Sequence, residues 1–395
     1  MPKTPTLKDV ACVAGVSVST ASRALHLKPG TSPVSIATQS RVRKVALELG
    51  YRANRLARSL SRNHTETIGV VLPLDPESLA KAYNSLILAG VAQVASLHGF
   101  ALALYNADPA SRRNYARTMR DGRVDGGIVI ESTIMTHEQV TQLEEETDFP
   151  IIVVGHRLEG TSVPFVAADD RGASAELTRF LLGLGHRRIV HIHFPFGHPA
   201  TQRCLGFLDA MGAAGLSNEP SIVVEDRQGD DPSHVDHSDL VRSLFARRSP
   251  PTAVYAWNDT VAASVIQSAV RMGMRVPEDL SVVGFNDFTI ARLTNPPLTT
   301  VREPLVEMGR RATELLIERI ERARRGDPEL QPVQHVLPTE IVLRESTAPP
   351  PCAQGEGNGL SATGDPARGD APRLSEENRS VAYPQTNCYS LGASR

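Results

Sequence analysis

The stretch from Ile68 to Leu343 constrains the fold most, because short apolar runs alternate along it with amphipathic helical patterns. This alternation is typical of parallel α/β architecture, in which each helix returns the chain to the next strand. A single open sheet rarely grows large enough for that many strands, so the pattern favours two doubly wound lobes with a ligand crevice between them. We predict eight strands, at residues 68–73, 100–106, 126–130, 150–155, 188–194, 221–225, 253–257 and 280–286.

Three helical patterns precede this region and predict a small all-α head. Thr6 and Ser17 can cap the first two helices, the second of which runs from residue 18 to about 26. The turn between them is Gly15-Val16-Ser17, and a short glycine-containing turn between two helices is the helix-turn-helix signature. Ser35 can cap a third helix that ends at Gly50.

The charge is divided unevenly along the chain. Residues 1–62 hold eleven Lys or Arg against Asp9 and Glu48, a net charge of +9. The other 333 residues hold 31 basic and 42 acidic groups, a net charge of −11. A basic head on an acidic body is typical of a segment that binds a polyanion; the alternative is a basic face that is merely solvated.

Several features exclude other classes of protein. Cys12, Cys204, Cys352 and Cys388 lie far apart, which argues against a disulfide framework or a zinc site made by paired cysteines. We expect a cytoplasmic protein, associated with the nucleoid and without membrane contact, because no apolar run is long enough to span a bilayer and no signal peptide is evident. From residue 346 to 395 the composition predicts a disordered tail.

The head resembles the DNA-binding region of the lactose/galactose-repressor family. The likeness runs through TLKDVACVAGVSVSTASRAL, which begins at Thr6, and RVRKVALELGYRANRLARSL, which ends at Leu60. In such a head the second helix is expected in the DNA major groove, with Arg23 as the best candidate for a bidentate guanine contact. The other residues expected to face bases are Val18, Ser19 and Ser22. Those expected to hold phosphates are Thr6, Ser17, Thr20 and Asn54.

The same resemblance implies a hinge helix after the head. Leu60 matches the position of an apolar wedge that opens the minor groove, and Arg58 can neutralise a phosphate. The alternative is a plain linker in which Leu60 packs on the core. Two departures from the family pattern are Ala53, where proline is usual, and a longer loop after His26. The implied segments are the head at 1–52, the hinge at 53–66, the effector domain at 67–345 and the tail at 346–395.

The body resembles the same family's effector domain, which is similar to periplasmic sugar-binding proteins. The likeness rests on VDGGIVI, LLGLGHRRIVHI, RCLGFLDAM, AWNDTVAASVIQSAVRMGMRVPEDLSVVGFNDF and NPPLTTVREP. The implied ligand contacts lie at strand ends, at Arg203, Asn258 and Asn286, with Asp259 and Asp287 adjacent. Their donors and acceptors suit a hydroxylated ligand, although the family often has aspartate where Asn286 stands.

Further residues are candidates for ligand selectivity. Tyr83 and Asn84 stand where the family frequently shows paired aromatic residues, and His193 replaces a usual glycine. Arg157 is expected either to line the crevice or to form a structural salt bridge with Asp169. For the pair at 191 and 193 a metal site is an alternative, because alternate strand residues share a face, but no third ligand is evident nearby in the sequence. We therefore expect neither a metal nor another cofactor.

Together these features predict an effector-controlled repressor. We expect it to bind a palindromic operator in double-stranded DNA as a homodimer. We expect the effector to be a sugar or sugar derivative, with a nucleobase second. One alternative is a small-molecule binding module without DNA function, which would leave the basic head unexplained. An enzyme is the other, but the sequence contains no GxSxG elbow, P-loop, HExxH or dinucleotide fingerprint.

Overall fold

The computed structural model describes residues 5–26, 34–51, 64–76, 78, 81–107, 119–120, 122–130, 141–143, 149–158, 160–195, 197–216, 223–226, 236–327 and 333–351. Three residues predicted to belong to the hinge site, Asn54, Arg58 and Leu60, lie outside this part of the chain, as does the predicted tail from residue 352.

The elements fall in the following order. The helices with described bounds are α1 Leu7–Val13, α2 Val18–His26, α3 Ile36–Glu48, α4 Ala82–Leu97, α5 Asp170–Gly183, α6 His198–Ala213, α7 Ser238–Phe245, α8 Asp259–Arg271, α9 Ile290–Leu293 and α10 Leu305–Arg325. The strands are β1 Thr67–Leu72, β2 Ala101–Asn106, β3 Gly126–Ile130, β4 Ile151–Val154, β5 Phe165–Ala168, β6 Ile189–His193, β7 Val223–Glu225, β8 Ala253–Ala256, β9 Ser281–Val283, β10 Thr300–Arg302, β11 Gln334–Leu337 and β12 Glu340–Val342.

The head is a three-helix unit, as predicted. Thr6 caps α1 through a capping box, in which its hydroxyl accepts from the backbone of Asp9 and the Asp9 carboxylate accepts from the Thr6 backbone. Ser35 caps α3 by accepting from the backbone N–H of Thr38. The three helices enclose a core of small and branched residues, Val10, Ala11, Ala14, Ala21, Ala24, Val42, Val45 and Ala46. Small side chains at α1 and α2 let the helices approach closely, which positions the turn between them.

Lobe 1 is built on a parallel sheet with the strand order β11-β5-β4-β3-β1-β2. Helices α4 and α10 pack together over one face of it. Gly90 of α4 and Gly309 of α10 make that packing possible, because a Cβ at either residue would lie 2.0 or 2.1 Å from a backbone oxygen of the other helix. The two helices thus meet backbone to backbone.

Lobe 2 is built on a second parallel sheet with the order β7-β6-β8-β9. Helices α5 and α6 cover one face with residues such as Leu177 and Phe207, and α7 and α8 cover the other with residues such as Val241 and Val265. Strands β6, β8 and β9 are therefore buried on both sides, which explains their mainly apolar sequences, whereas β7 at the edge is half-exposed. The two sheets confirm the predicted doubly wound α/β architecture.

The chain passes between the lobes at three places in the described residues. The first connection follows β5 and leads into α5 at Asp169, the second runs from β10 through Glu303 and Pro304 into α10, and the third joins β11 to β12. Strands β10 and β12 pair antiparallel on the lobe 2 side. These three connections form an interlobe hinge, distinct from the predicted hinge helix at 53–66, about which the two lobes can change their angle.

The compact part of the structure extends to Pro351, six residues beyond the predicted boundary at 345. The segment after β12 packs on lobe 2: Ser346 is fully buried, its hydroxyl donates to the carbonyl of Val282, and it accepts from the backbone of Thr299. The Val282 N–H donates back to the Ser346 carbonyl.

All eight predicted strands are present: β3 has the predicted bounds, and where both ends of the others are described, each end lies within three residues of its predicted position. Strands β5, β10, β11 and β12 were not predicted. No helix among the described residues is long and apolar enough to cross a membrane.

Candidate DNA-binding surface and effector crevice

Helix α2 presents one exposed face and one buried face. Ala21 and Ala24 are fully buried against the head core, whereas Val18 is 43% exposed and Ser19 and Arg23 are also exposed. Ser22 on the same side is half-buried. The predicted base-reading residues are therefore on the outer face of α2, where a duplex could reach them.

The predicted phosphate-holding residues of the head are at helix starts. Thr6 and Ser17 are exposed and Thr20 is half-buried. The Ser17 hydroxyl accepts from the backbone N–H of Thr20 at 3.1 Å and contacts the hydroxyl of Ser19 at 2.9 Å. Ser17 thus caps α2, as the sequence predicts, and leaves the first turn of the helix at the surface.

Other basic side chains of the head are exposed as well. Lys8 of α1 and Arg41 and Arg43 of α3 are exposed, like Arg23. They give the head a positive surface, which phosphate groups would neutralise.

Arg203, a predicted effector contact, is 2% exposed and lies at the centre of a buried polar network. Its Nε donates to Asp170 at 2.7 Å and its Nη2 to Glu303 at 2.9 Å. Its Nη1 donates to the carbonyl of Trp257 at 2.9 Å and to Asn286 Oδ1 at 3.3 Å. These bonds use four of its five N–H groups, and its guanidinium also lies 3.9 Å from the ring centre of Phe285.

The two carboxyl groups of this network share one guanidinium. Burial raises the pKa of Asp170, and it raises the pKa of Glu303 to about 8, with repulsion between the two carboxyl groups adding to the effect on Glu303. The pair therefore retains a proton near neutral pH. Glu303 Oε1 is buried and has no hydrogen-bond partner, which leaves one unpaired polar atom at the hinge.

Asn286, another predicted contact, is in the left-handed region with φ of 102°. Its Nδ2 donates to Glu303 Oε2 at 2.5 Å. Asp287 follows it, also with positive φ, and accepts from Arg292, Arg302 and Arg344. Burial opposes ionisation of Asp287, but these arginines outweigh it and hold its pKa below the usual value.

Neighbouring residues hold the positive-φ segment at Asn286 and Asp287 in place. Asn258 caps α8 by accepting from the backbone of Val261 at 2.9 Å and is 1% exposed. Asp259 accepts from the Phe288 N–H at 2.6 Å and from the Thr300 hydroxyl at 2.5 Å. The strand ends are thus fastened together by buried carboxyl and amide groups, and burial raises the pKa of Asp259 to about 7.

Histidines lie where the two lobes meet. His156 follows β4 of lobe 1 and stacks on His198 at the start of α6 in lobe 2, with ring centres 3.9 Å apart. Burial, followed by the charge of His198, lowers the pKa of His156 to about 3. His193, predicted for selectivity, is half-buried at the end of β6. Burial also lowers its pKa.

Three of the predicted effector contacts form interactions within or next to lobe 1. Arg157 donates to Asp169 at 3.3 Å, in the salt bridge that the sequence offered as one of two roles. Asn84 is 1% exposed and donates to the carbonyl of Ser78 at 3.0 Å. Tyr83 is half-buried and packs against the lobe 1 core.

The structure therefore brings Arg203, Asn258 and Asn286 together, because Arg203 donates to Asn286 and to the carbonyl of Trp257, the residue before Asn258. It adds an aromatic pair that sequence reasoning missed: Phe194 and Trp257 stack with ring centres 4.9 Å apart, at the ends of β6 and β8. Trp257 donates to Asp226 at 3.2 Å. The signal available in the sequence was an aromatic residue at the carboxyl end of each of two neighbouring strands.

A cavity of about 560 Å³ lies beside the second connection between the lobes. Asn286 and Glu303 of the network line it, together with Arg302, Arg310 and Glu340. It shares only Asn286 with the predicted effector residues.

Comparison with known proteins identifies this arrangement. Residues 6–54 match the bacterial regulatory proteins of the lacI family, and residues 178–347 match the periplasmic binding protein-like domain. The HTH-type transcriptional repressor CytR of Escherichia coli is 30% identical over 348 residues, which cover 87% of this chain and 96% of CytR. The chain belongs to the lacI family. This lacI-family protein is thus a DNA-binding transcriptional repressor, and its relatives and fold are those of regulators rather than enzymes.

Solved structures of lacI-family proteins share the fold. The regulator CelR in complex with cellobiose is 30% identical, covers 87% of this chain and 99% of its own, and superposes with a TM-score of 0.62. The lac repressor dimer bound to operator and the anti-inducer ONPF is 23% identical, covers 88% of this chain and 100% of its own, and has a TM-score of 0.74. The predicted family and two-part fold are confirmed.

Proposed function

We propose that this lacI-family repressor binds a palindromic operator as a dimer and that a small polar effector between the lobes controls the binding. The observation that carries the proposal is the outer face of α2, where Val18, Ser19 and Arg23 are exposed above buried alanines. The same chain carries two lobes joined by three connections, so a ligand that changes the lobe angle can act on the head.

In the proposed complex α2 lies in the major groove. Arg23 forms a bidentate contact to guanine, worth about 1–3 kcal/mol of discrimination, and Val18, Ser19 and Ser22 contact neighbouring bases. Thr6, Ser17 and Thr20 hold phosphates, which fix the orientation of the head. Asn54 and Arg58 at phosphates and Leu60 in the minor groove complete the proposal, on the sequence resemblance alone.

Dimer formation is supported by exposed apolar side chains on lobe 2. Val270 is 52% exposed and Met272 40% exposed at the end of α8, and Leu293 of α9 is 72% exposed. Helices α8 and α9 contact each other in lobe 2. Two copies of the head would then meet two half-sites, which a palindromic operator supplies. The lac repressor named above was solved as a dimer on its operator.

We propose a sugar or sugar derivative as the effector, with a nucleobase as the second candidate. The Arg203–Asn286–Glu303 network offers both donors and acceptors, and Glu303 Oε1, which has no partner within the network, can form a hydrogen bond with a hydroxyl group of the effector. The Phe194–Trp257 pair supplies an aromatic surface, and binding sites commonly combine such surfaces with a few polar groups. CelR, 30% identical, was solved with cellobiose.

The remaining contacts in this proposal come from side chains around the crevice. They are Tyr83, Asn84 and Arg157 of lobe 1 and His193 and Asn258 of lobe 2. Effector and operator binding would be coupled by one reciprocal free energy, since both depend on the same lobe angle.

The DNA-binding proposal is tested by selecting genomic fragments with the purified full-length chain and comparing specific with random duplex. Arg23→Ala should reduce the ratio of specific to random affinity at least about tenfold. Arg41→Ala, which removes an equally exposed charge from α3, should weaken both affinities to a similar degree. Equal effects of the two substitutions on the ratio would remove Arg23 from its proposed role.

The effector proposal is tested by titrating sugars and nucleobases against the operator complex. A sugar that changes operator affinity, in either direction, supports it, and a response to nucleobases alone would favour the second candidate. A small-molecule module without DNA function would bind ligand but show little change in bulk DNA affinity between two salt concentrations.

A further inference from the structure

Three potential metal ligands converge inside lobe 2. His191 and His193 alternate on β6 and so project from the same face of the strand. Cys204 lies on α6, which packs over β6, and is a thiol rather than part of a disulfide. One donor atom from each of the three side chains lies within 4.8 Å of the other two. The third ligand that the sequence around the two histidines lacked is thus supplied by a helix.

We propose that His191, His193 and Cys204 bind a borderline or soft transition-metal ion of the Zn²⁺ class. The site shares His193 with the effector contacts proposed above, whereas His191 and Cys204 are not among them, and the proposal does not depend on DNA binding.

His191 is already arranged as a metal ligand. Its Nδ1 lies 3.0 Å from the carbonyl of Tyr255, to which it donates, so the proton is on Nδ1 and the lone pair is on Nε2. Nε2 is buried and has no hydrogen-bond partner, and the residue is fully buried. A histidine that ligates a metal through one nitrogen normally donates from the other to a carbonyl or carboxylate.

The surroundings of His191 hold its ring in place. The ring centre lies 5.2 Å from that of Phe207 and 4.6 Å from that of Tyr255. These two rings and the hydrogen bond to the Tyr255 carbonyl fix the direction of Nε2.

His193 supplies the second nitrogen. Its Nδ1 is buried without a hydrogen-bond partner, and its ring centre is 6.0 Å from that of His191. Two neighbouring imidazoles that each keep a buried nitrogen unpaired are unusual in a protein core, and one ion would satisfy both.

The ligand set selects the metal. Tetrahedral zinc has bonds of about 2.0–2.1 Å to nitrogen and about 2.3 Å to sulfur, so its ligand atoms are roughly 3.5 Å apart. The donor atoms are at most 4.8 Å apart and so need to close by about 1.3 Å at most, which rotations of Cys204 and His193 can provide. Two imidazoles and a thiolate suit Zn²⁺ or Cu⁺ and not Mg²⁺ or Ca²⁺, which prefer oxygen. A fourth position would remain for water.

The test uses the full-length chain without a polyhistidine tag, titrated with Co²⁺ as an optical probe and then with Zn²⁺. We expect about one Co²⁺ per chain, a thiolate-to-cobalt charge-transfer band, and displacement of the band by Zn²⁺. Replacing Cys12, Cys352 and Cys388 by serine should leave the band in place, whereas Cys204→Ser should abolish it. His193→Asn should weaken the binding of Co²⁺ at least about tenfold.

Controls separate ligation from folding. His98→Asn changes an exposed histidine at the end of α4 and should leave Co²⁺ affinity unchanged. Zn²⁺ should raise the Tm of the wild-type chain and of the variant that keeps only Cys204, but not that of Cys204→Ser, whose far-UV circular dichroism should be native. A charge-transfer band that persists in Cys204→Ser, or no charge-transfer band in the wild-type chain, would overturn the proposal.

Discussion

Arg203 and Glu303 form an ion pair with 2.9 Å between Nη2 and Oε2, and their side chains are only 2% and 1% exposed. Arg203 is on helix α6 of lobe 2, and Glu303 is in the second connection between the lobes. Asp170, at the end of the first connection, pairs with the other side of the same guanidinium. One arginine therefore holds two of the lobe connections at fixed positions relative to α6.

Arg203→Ala should destabilise the chain by about 3–5 kcal/mol, because it leaves two buried carboxyl groups without their counter-charge. Unfolding in urea, followed by the fluorescence of Trp257, measures the loss; Trp257 is the only tryptophan of the chain. The matched control is Arg171→Ala, which breaks a half-exposed pair with Asp209 and should cost under about 1 kcal/mol. Similar losses in the two variants would contradict a special role for the buried pair.

The stability should fall with rising pH because of Glu303. Its pKa is raised from the usual value to about 8, so the folded chain keeps a proton that the unfolded chain releases between about pH 4.5 and 8. The contribution of this group is then greatest at the acid end of that window and is lost as the pH rises through it. Glu303→Gln should remain hydrogen-bonded and lose this dependence. Free energies of unfolding of both chains at several pH values test this, and parallel pH profiles would refute it.

Acid should weaken the contact between His156 and His198. The pKa of His156 is lowered to about 3 in the folded chain. In an unfolded or opened chain His156 therefore binds a proton near pH 6.5, whereas in the closed chain it does not. Stability from this contact is therefore present above about pH 6.5 and is lost as the pH falls below it. His156→Phe keeps a stacking ring without a proton site and should reduce the loss of Tm between pH 7 and 5. His98→Gln, at an exposed site, should leave it unchanged.

Gly206→Ala should destabilise lobe 2, because a Cβ there would lie 2.1 Å from the backbone oxygen of Arg171 on the neighbouring helix α5. Forcing α5 and α6 apart should cost at least about 1–3 kcal/mol. Gly183→Ala, at the end of α5, meets no atom within 4 Å and should instead stabilise by about 0.5–1 kcal/mol. Thermal unfolding of the two variants should thus show Tm shifts of opposite sign.

The local parts of the fold could be predicted from the sequence. Thr6, Ser17 and Ser35 indicate where the three head helices begin, and continuous apolar runs indicate strands that are buried on both faces. Strands β10, β11 and β12 could not be found this way, because each mixes polar with apolar residues instead of forming a continuous apolar run, and β11 and β12 are half-exposed. They exist because the lobes need connections, which is a property of the assembled fold.

The candidate site was predictable only in part. Arg203 was identified from a family resemblance, but its partners lie 33 and 100 residues away in the chain, and no local pattern links them. Cys204 joins the two β6 histidines for the same reason: the packing of α6 on the sheet brings them together. Residue types indicate what chemistry is available, whereas long-range packing decides which groups meet.

The burial of Ser346 has a practical consequence for anyone engineering this repressor. Its hydroxyl and backbone complete the hydrogen bonding of β9, and the carbonyl of Ala348 accepts from His186 or from Ser281 within 3.0 Å. Removing the chain from residue 346 onward would strip an edge from the sheet that carries the effector contacts. Fluorescent fusions, purification handles and crystallisation truncations should therefore be joined or cut after Pro351.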